Sequence, residues 1–405
     1  MKLFAKKRIY LDHAAATPID TSVQKIITEY NKKHFGNPGS IHKEGVEAKR
    51  ALEDARKKLA DFFACSAEEI VFTSGGTESN NLAIGGFFNY LSAKPDRAEV
   101  FSNSRADLCQ PLAGLHAITS KIEHPSVLDV FMELEKKGLD VTYIGVDENG
   151  VVSTEELKEA IKENTVFVSI MYANNETGVI QPIREIAKII REHNKHLEAG
   201  VSNTVFHTDA SQALNYLETD VRKLHVDLLS ASGSKIYAPK GVGILYKKRN
   251  LSMGAIIHGG KQEHALRAGT ENVAGILACG MAVGIVKDTK EKESVRMKEL
   301  REYFSARIEK EFPEAVFNGG GEILPNIINV SFPGFESEEL ILRLDAMGVA
   351  LAARSACKSD NDASDVIAIL GEKHYPESAI RFSMGRSTTK KDLDYVIKCL
   401  CKILK

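Results

Sequence analysis

The sequence predicts an α/β protein: a large domain built on a mainly parallel sheet flanked by helices, followed by a smaller α+β domain. Three observations predict it. Short apolar runs alternate with amphipathic stretches through most of the chain, the pattern of strand–helix alternation. After Thr270 the character changes to a long, highly charged helical stretch and then strand-like runs. The 405 residues are also too many for one simple core.

Taken in order, residues 45–63 read as a helix with charges on one face. Glu69–Thr73 reads as a strand that ends in Ser-Gly-Gly-Thr-Glu-Ser at 74–79, and a helical run starts at Asn80. Strands are expected at 140–146, 165–172, 204–208, 226–230 and 242–247, with helices at about 154–163 and 183–197. This alternation puts ligands at the C-terminal ends of the strands. Residues 285–311 read as the charged helix, 326–332 and 347–352 as strands, and 391–403 as a last helix. The expected division is 14–280 for the large domain and 281–405 for the small one, with residues 1–13 packing near the latter. Residues 95–119, with Pro95, Pro111 and Gly114, fit no element and are expected to be a surface excursion.

Composition excludes several classes. A formal charge of −2 gives no bulk attraction for nucleic acid. Six scattered cysteines make no disulfide framework, and no CxxC pair suggests structural zinc. The basic N-terminus is not followed by an apolar signal core, and no run reaches the roughly 18 apolar residues of a membrane span. A cytoplasmic protein is expected.

Three segments carry chemistry. Ser74-Gly-Gly-Thr77 lies between a strand and a helix, where glycines let free backbone N–H groups approach an anion; a tight turn without ligand is the other reading. Asp209 closes an apolar strand, where a carboxylate can pair with a protonated ring nitrogen or cap a helix. Lys235 follows another apolar strand among small residues, including Ser232 and Ser234, whose hydroxyls can donate to phosphate. A partly desolvated lysine there can form a covalent bond to a carbonyl cofactor, although a solvated surface charge is commoner for a lysine seen alone.

Together these segments resemble the cysteine desulfurases of the NifS/IscS type, within the class-V aminotransferase group of fold-type I enzymes that use pyridoxal 5'-phosphate (PLP). The likeness includes Tyr10-Leu-Asp-His-Ala-Ala-Ala-Thr-Pro18, Phe35-Gly-Asn-Pro-Gly39, Glu123-His124, Asn174-Asn-Glu-Thr-Gly178, Arg267-Ala-Gly-Thr270, Ser355-Ala-Cys357 and Arg381-Phe-Ser-Met-Gly-Arg386. The resemblance implies a seven-stranded sheet and a homodimer. It implies that Lys235 holds the cofactor covalently, that Asp209 binds the ring nitrogen, and that His124 stacks on the ring and helps move protons. Asn175 and Gln212 would contact the ring hydroxyl side. Gly76, Thr77, Ser232 and Ser234 would hold the phosphate, with Thr270 reaching in from a second subunit. Asn37, Asn175 and Arg381 would bind substrate, Arg381 through the carboxylate. Sulfur taken from L-cysteine would pass to Cys357 as a persulfide, leaving L-alanine, and then go to an acceptor such as an iron–sulfur scaffold protein. Arg354 and Lys358 would favour the Cys357 thiolate.

Two positions depart from the family pattern. Ser234 stands where histidine usually precedes the lysine, and Arg354 stands where glycine is usual. The same fold serves aminotransferases and selenocysteine lyases, so those are the alternative enzyme readings, and a non-catalytic assembly subunit is the reading from another class.

Overall fold

A computed structural model describes residues 8–93, 111–198, 201–353 and 364–405. The chain enters through strand β1 (Ile9–Tyr10) and helices α1 (Thr21–Lys33) and α2 (Lys43–Phe63). It then builds the sheet: β2 (Ile70–Thr73), α3 (Gly76–Ser92), β3 (His116–Ser120), α4 (Pro125–Glu135), β4 (Asp140–Ile144), α5 (Thr154–Ala160) and β5 (Thr165–Ser169). Next come α6 (Ile183–His196), β6 (Val205–Asp209), α7 (Val221–Leu224), β7 (Leu228–Ser232) and β8 (Gly243–Lys247). The rest is α8 (Val273–Glu311), β9 (Val316–Phe317), β10 (Ile327–Ser331), α9 (Ser337–Ala346), β11 (Val349–Ala350), α10 (Asp365–Leu370), β12 (Ala379–Ser383) and α11 (Lys390–Leu404).

Seven strands form the large sheet in the order β2-β8-β7-β6-β5-β3-β4. β8 runs antiparallel to both its neighbours, and the other pairings are parallel. Both faces are covered. Val168 and Phe206 turn into one apolar cluster with α2, α6 and the start of α8, while Phe167 and Val205 turn into another with α3 and α4. Burial on both faces is why these strands read as apolar runs rather than as alternating patterns.

Three sequence expectations change here. Residues 116–119 are not surface excursion: they lie in β3, buried between β4 and β5. The strand escaped notice because its polar side chains are satisfied sideways. His116 is bonded to Thr165 Oγ1 at 2.7 Å and Thr142 Oγ1 at 2.8 Å, and Thr119 Oγ1 donates to the Ser169 carbonyl at 3.0 Å. Residues 94–110 of that stretch lie outside the described residues. Helix α3 begins at Gly76, not Asn80, because the Glu78 carboxylate accepts from Ser74 N (2.9 Å) and steadies the turn that enters the helix. Helix α8 begins twelve residues before the charged stretch; its first turns are small, apolar and buried against α1 and α2, so they lack a polar face to betray them.

The small unit joins a three-stranded antiparallel sheet, β12-β10-β9, to the parallel pair β1–β11. Its core groups Met297, Leu300 and Phe304 of α8 with Leu393, Val396 and Leu400 of α11. We propose a two-domain organisation in which α8 serves both cores, Val286 on one side and Met297 on the other; the boundary at 280/281 falls inside that helix.

Candidate active site

A cavity of about 340 Å³ opens where β2, β6 and β7 end. Its first wall is the N-terminus of α3. The first turn of a helix has N–H groups without intrahelical acceptors, and here they belong to Gly76 and its successors. Gly76 sits in a tight space: a Cβ there would lie 3.0 Å from Ser211 Oγ and 3.4 Å from Ser232 Cβ. Ser232, at the end of β7, and Ser234 put their hydroxyls 3.0 Å apart on the same wall. Thr77 also lines it.

Asp209 ends β6 and is buried. Its Oδ1 accepts from Ser211 N (2.9 Å) and its Oδ2 from Asn80 Nδ2 (2.7 Å). His124 arrives from the end of β3. It is the N-cap of α4, with Pro125 in the first helical position, and its Nδ1 accepts from Ser126 N at 3.1 Å. Burial holds the imidazole pKa below its ordinary value, and the charge of Lys235 pushes the same way against the opposing pull of Asp209.

Lys235 closes a short helical turn after β7. Its amine donates to the carbonyls of Ala14, at 2.8 Å, and Ala15, at 2.5 Å. Gln212 Nε2 donates to the Ala14 carbonyl as well, at 3.0 Å. These acceptors come from the N-terminal segment, which the small unit pins: Ala14 N donates to Ser383 Oγ at 2.9 Å.

The far end of the cavity is lined by Asn175 and Arg381. Asn175 lies in a turn made by its neighbour, since Asn174 Oδ1 accepts from the N–H groups of Glu176 (2.8 Å) and Thr177 (2.9 Å). Gly178 closes that turn at φ +80°, packed so closely that a Cβ would lie 3.0 Å from Ile323 and Ile327. Arg381 is 1% exposed. It donates through Nη1 to the Asn175 carbonyl and through Nη2 to Asp12 Oδ1, both at 2.8 Å, and among the described residues its buried Nε has no acceptor. A donor so placed at a cavity wall suits an incoming carboxylate.

The structure therefore brings Gly76, Thr77, His124, Asn175, Asp209, Gln212, Ser232, Ser234, Lys235 and Arg381 to one cavity. Asn37 and Thr270 are exposed and lie away from it, and Cys357 falls outside the described residues. Sequence reasoning missed Asn80 and Ser126, which tie Asp209 to His124, and the carbonyls of Ala14 and Ala15. Backbone carbonyls leave no trace in a residue pattern; Asn80, next to the Ser-Gly-Gly-Thr-Glu-Ser run, was within reach.

The class-V aminotransferase family model matches residues 9–104 and 98–396. The chain belongs to the class-V aminotransferase family. Among its relatives in that family, the cysteine desulfurase IscS of Dictyoglomus turgidum is 42% identical over 98% of this chain and 95% of that protein. The cysteine desulfurase IscS of Methanosarcina thermophila is 39% identical over 98% and 92%. Of solved structures, a NifS-like protein superposes with a TM-score of 0.85 at 33% identity, covering 98% of this chain and 99% of that one. A structure titled SspA in complex with cysteine gives 0.76 at 33% identity, covering 93% and 98%.

The enzymes of this family that resemble the chain use PLP, and the cavity fits it. A phosphate dianion suits the helix N-terminus and the two serine hydroxyls, Asp209 suits a protonated ring nitrogen, and Lys235 supplies the amine. Among the described residues no helix is long and apolar enough to cross a membrane.

Proposed function

We propose that this protein is a PLP-dependent cysteine desulfurase that takes sulfur from L-cysteine onto Cys357 and releases L-alanine. The observation that carries the proposal is the convergence of Lys235, Asp209 and His124 on one cavity whose far wall is Arg381. Bound PLP supplies the electron sink that stabilises negative charge at the substrate α-carbon. Arg381 binds the substrate carboxylate through its guanidinium, and Asn175 stands beside it. Lys235 takes the α-proton, and the carbonyls of Ala14 and Ala15 receive the resulting ammonium. The Cys357 thiolate attacks the substrate sulfur: an S–S bond forms, the C–S bond breaks, and its electron pair goes to the carbon, which takes up a proton on the way to alanine.

The described residues beside Cys357 support its reach. Arg381 N donates to the Ala352 carbonyl at 2.7 Å, and Ser364 Oγ donates to Glu176 Oε2 at 2.6 Å. Both flanks are thus anchored at the substrate end of the cavity.

The reading extends to a cytoplasmic homodimer that passes sulfur to an acceptor such as an iron–sulfur scaffold protein. Support for a second copy comes from the segment around Asn37, where Phe35 is 88% and Ile41 98% exposed, and from Thr270, which is exposed in one copy. Sedimentation of the purified protein checks the dimer. The deciding assay compares sulfide and alanine formed from L-cysteine under reductant. The parent produces both, and Cys357→Ala keeps the visible cofactor band but releases no sulfide. Undiminished turnover of Cys357→Ala would mark an aminotransferase or a lyase that dispenses with the thiol, and a colourless protein would mark a non-catalytic subunit.

A further inference from the structure

A hydrogen-bonded chain runs beneath the cavity from Asp209 to His124. Asn80, fully buried in α3, donates from Nδ2 to Asp209 Oδ2 at 2.7 Å and to Ser126 Oγ at 2.8 Å. Ser126 Oγ lies 2.8 Å from His124 Nδ1, and Ser126 N donates to the same nitrogen at 3.1 Å. The direction of each bond follows from the groups. A carboxylate accepts, so the Asn80 amide must turn its NH2 toward Asp209, which leaves its own Oδ1 buried without a partner among the described residues. The second hydrogen of that NH2 goes to Ser126 Oγ, and the serine's own proton is left for His124 Nδ1. A backbone N–H can only donate, so Nδ1 presents a lone pair to Ser126 N in any case.

We infer that Asn80 and Ser126 are positioning residues that fix His124 as the neutral imidazole with its proton on Nε2. His124 therefore meets substrate as a hydrogen donor at Nε2. A proton cannot enter at Nδ1 without turning away both Ser126 donors, so the imidazolium is disfavoured from two sides. The charged groups around the ring are Asp209 on β6, Asp129 on α4 and Lys235 after β7; the carboxyl of Glu123, which precedes His124 in the chain, is buried and held neutral. What Nε2 donates to rests on the cysteine desulfurase reading; the tautomer does not.

The test uses the holoenzyme labelled with 15N-histidine, the His124 signals being assigned by their loss in His124→Gln. At neutral pH the parent shows the Nε2-protonated pattern. Ser126→Ala keeps the backbone N–H on Nδ1, and so the tautomer, but removes one of the two donors that protonation must turn away, so the acid limb of kcat moves up by about one pH unit. kcat falls about ten-fold with KM for cysteine little changed, and Ser126→Thr, which keeps the hydroxyl, restores both. A proton on Nδ1 or an imidazolium pattern in the parent overturns the inference, as does a Ser126→Ala profile that superimposes on the parent's. Should Ser126→Ala fail to fold, the parent spectrum alone decides. An Nε2-protonated spectrum in a protein inert toward cysteine would sink the functional reading and leave this one standing.

Discussion

Arg56 and Glu263 meet as a two-pronged ion pair in the interior, with Nη2 on Oε1 at 2.7 Å and Nη1 on Oε2 at 2.8 Å. Nη1 also donates to the Ile70 carbonyl, Phe72 N donates to Glu263 Oε2, and the guanidinium lies over the Phe72 ring. The pair thus fastens β2, whose end carries the helix that forms the first wall of the cavity, to a turn in which Glu263, His264 and Ala265 all have φ between 45° and 61°. Three non-glycine residues in that region are strained, and the ion pair holds them there.

A buried pair broken on one side leaves an uncompensated charge. Glu263→Gln is expected to lower stability by about 3–5 kcal/mol, read as a fall in the denaturant midpoint. Arg56→Met with Glu263→Met should cost less than the sum of the single changes, which a double-mutant cycle measures.

Glu123 is buried, and burial pushes its carboxyl up to about 8. Its Oε1 accepts from Ser120 Oγ and Met171 N, while Oε2 has no partner among the described residues. The folded protein keeps a proton that the unfolded chain loses near the ordinary carboxylate pKa. Native stability from this group is therefore complete in acid and declines as pH rises toward about 8. Glu123→Gln removes that slope. The variant should be the less stable in acid, where its amide has a surplus buried hydrogen, and gain on the parent steadily up to about pH 8; parallel curves in thermal melts across pH would contradict a buried neutral acid.

Gly76→Ala places a methyl group against Ser211 Oγ and Ser232 in the anion cradle. Cofactor retention should weaken about ten-fold while the fold persists. The measurement is loss of the visible band during dilution, compared with far-ultraviolet circular dichroism.

Arg381→Lys exchanges a planar fork for a point charge that cannot serve Asn175, Asp12 and a substrate carboxylate together. KM for cysteine should rise at least about ten-fold, with a smaller fall in kcat. An unchanged KM would remove Arg381 from substrate binding.

Much of this was legible in the sequence because function here is written in short, local runs. Asp209 and Ser232 each end an apolar strand, and the glycines at 75 and 76 mark a strand-to-helix turn, so the cavity's walls could be placed before any coordinates. What escaped notice depends on partners distant in sequence. β3 was hidden because His116 and Thr119 look polar until Thr165, Thr142 and Ser169 lie beside them. The start of α8 was hidden because burial on all sides erases helical periodicity. The Ala14 and Ala15 carbonyls became visible only when the fold laid them against Lys235.

The segment that receives the Lys235 amine has an unusual birth order. Residues 11–14 are held by Arg381 and Ser383: Asp12 takes the guanidinium, Ser383 N donates to the Leu11 carbonyl, and Ala14 N donates to the Ser383 hydroxyl. On the ribosome, where polymerisation runs at about 5–20 residues per second, this stretch emerges well before the strand that holds it and waits for β12 before it can settle. A nascent chain halted short of β12 holds a sheet and a lysine but no finished cradle for its amine, so the chemistry is withheld until that strand has been made.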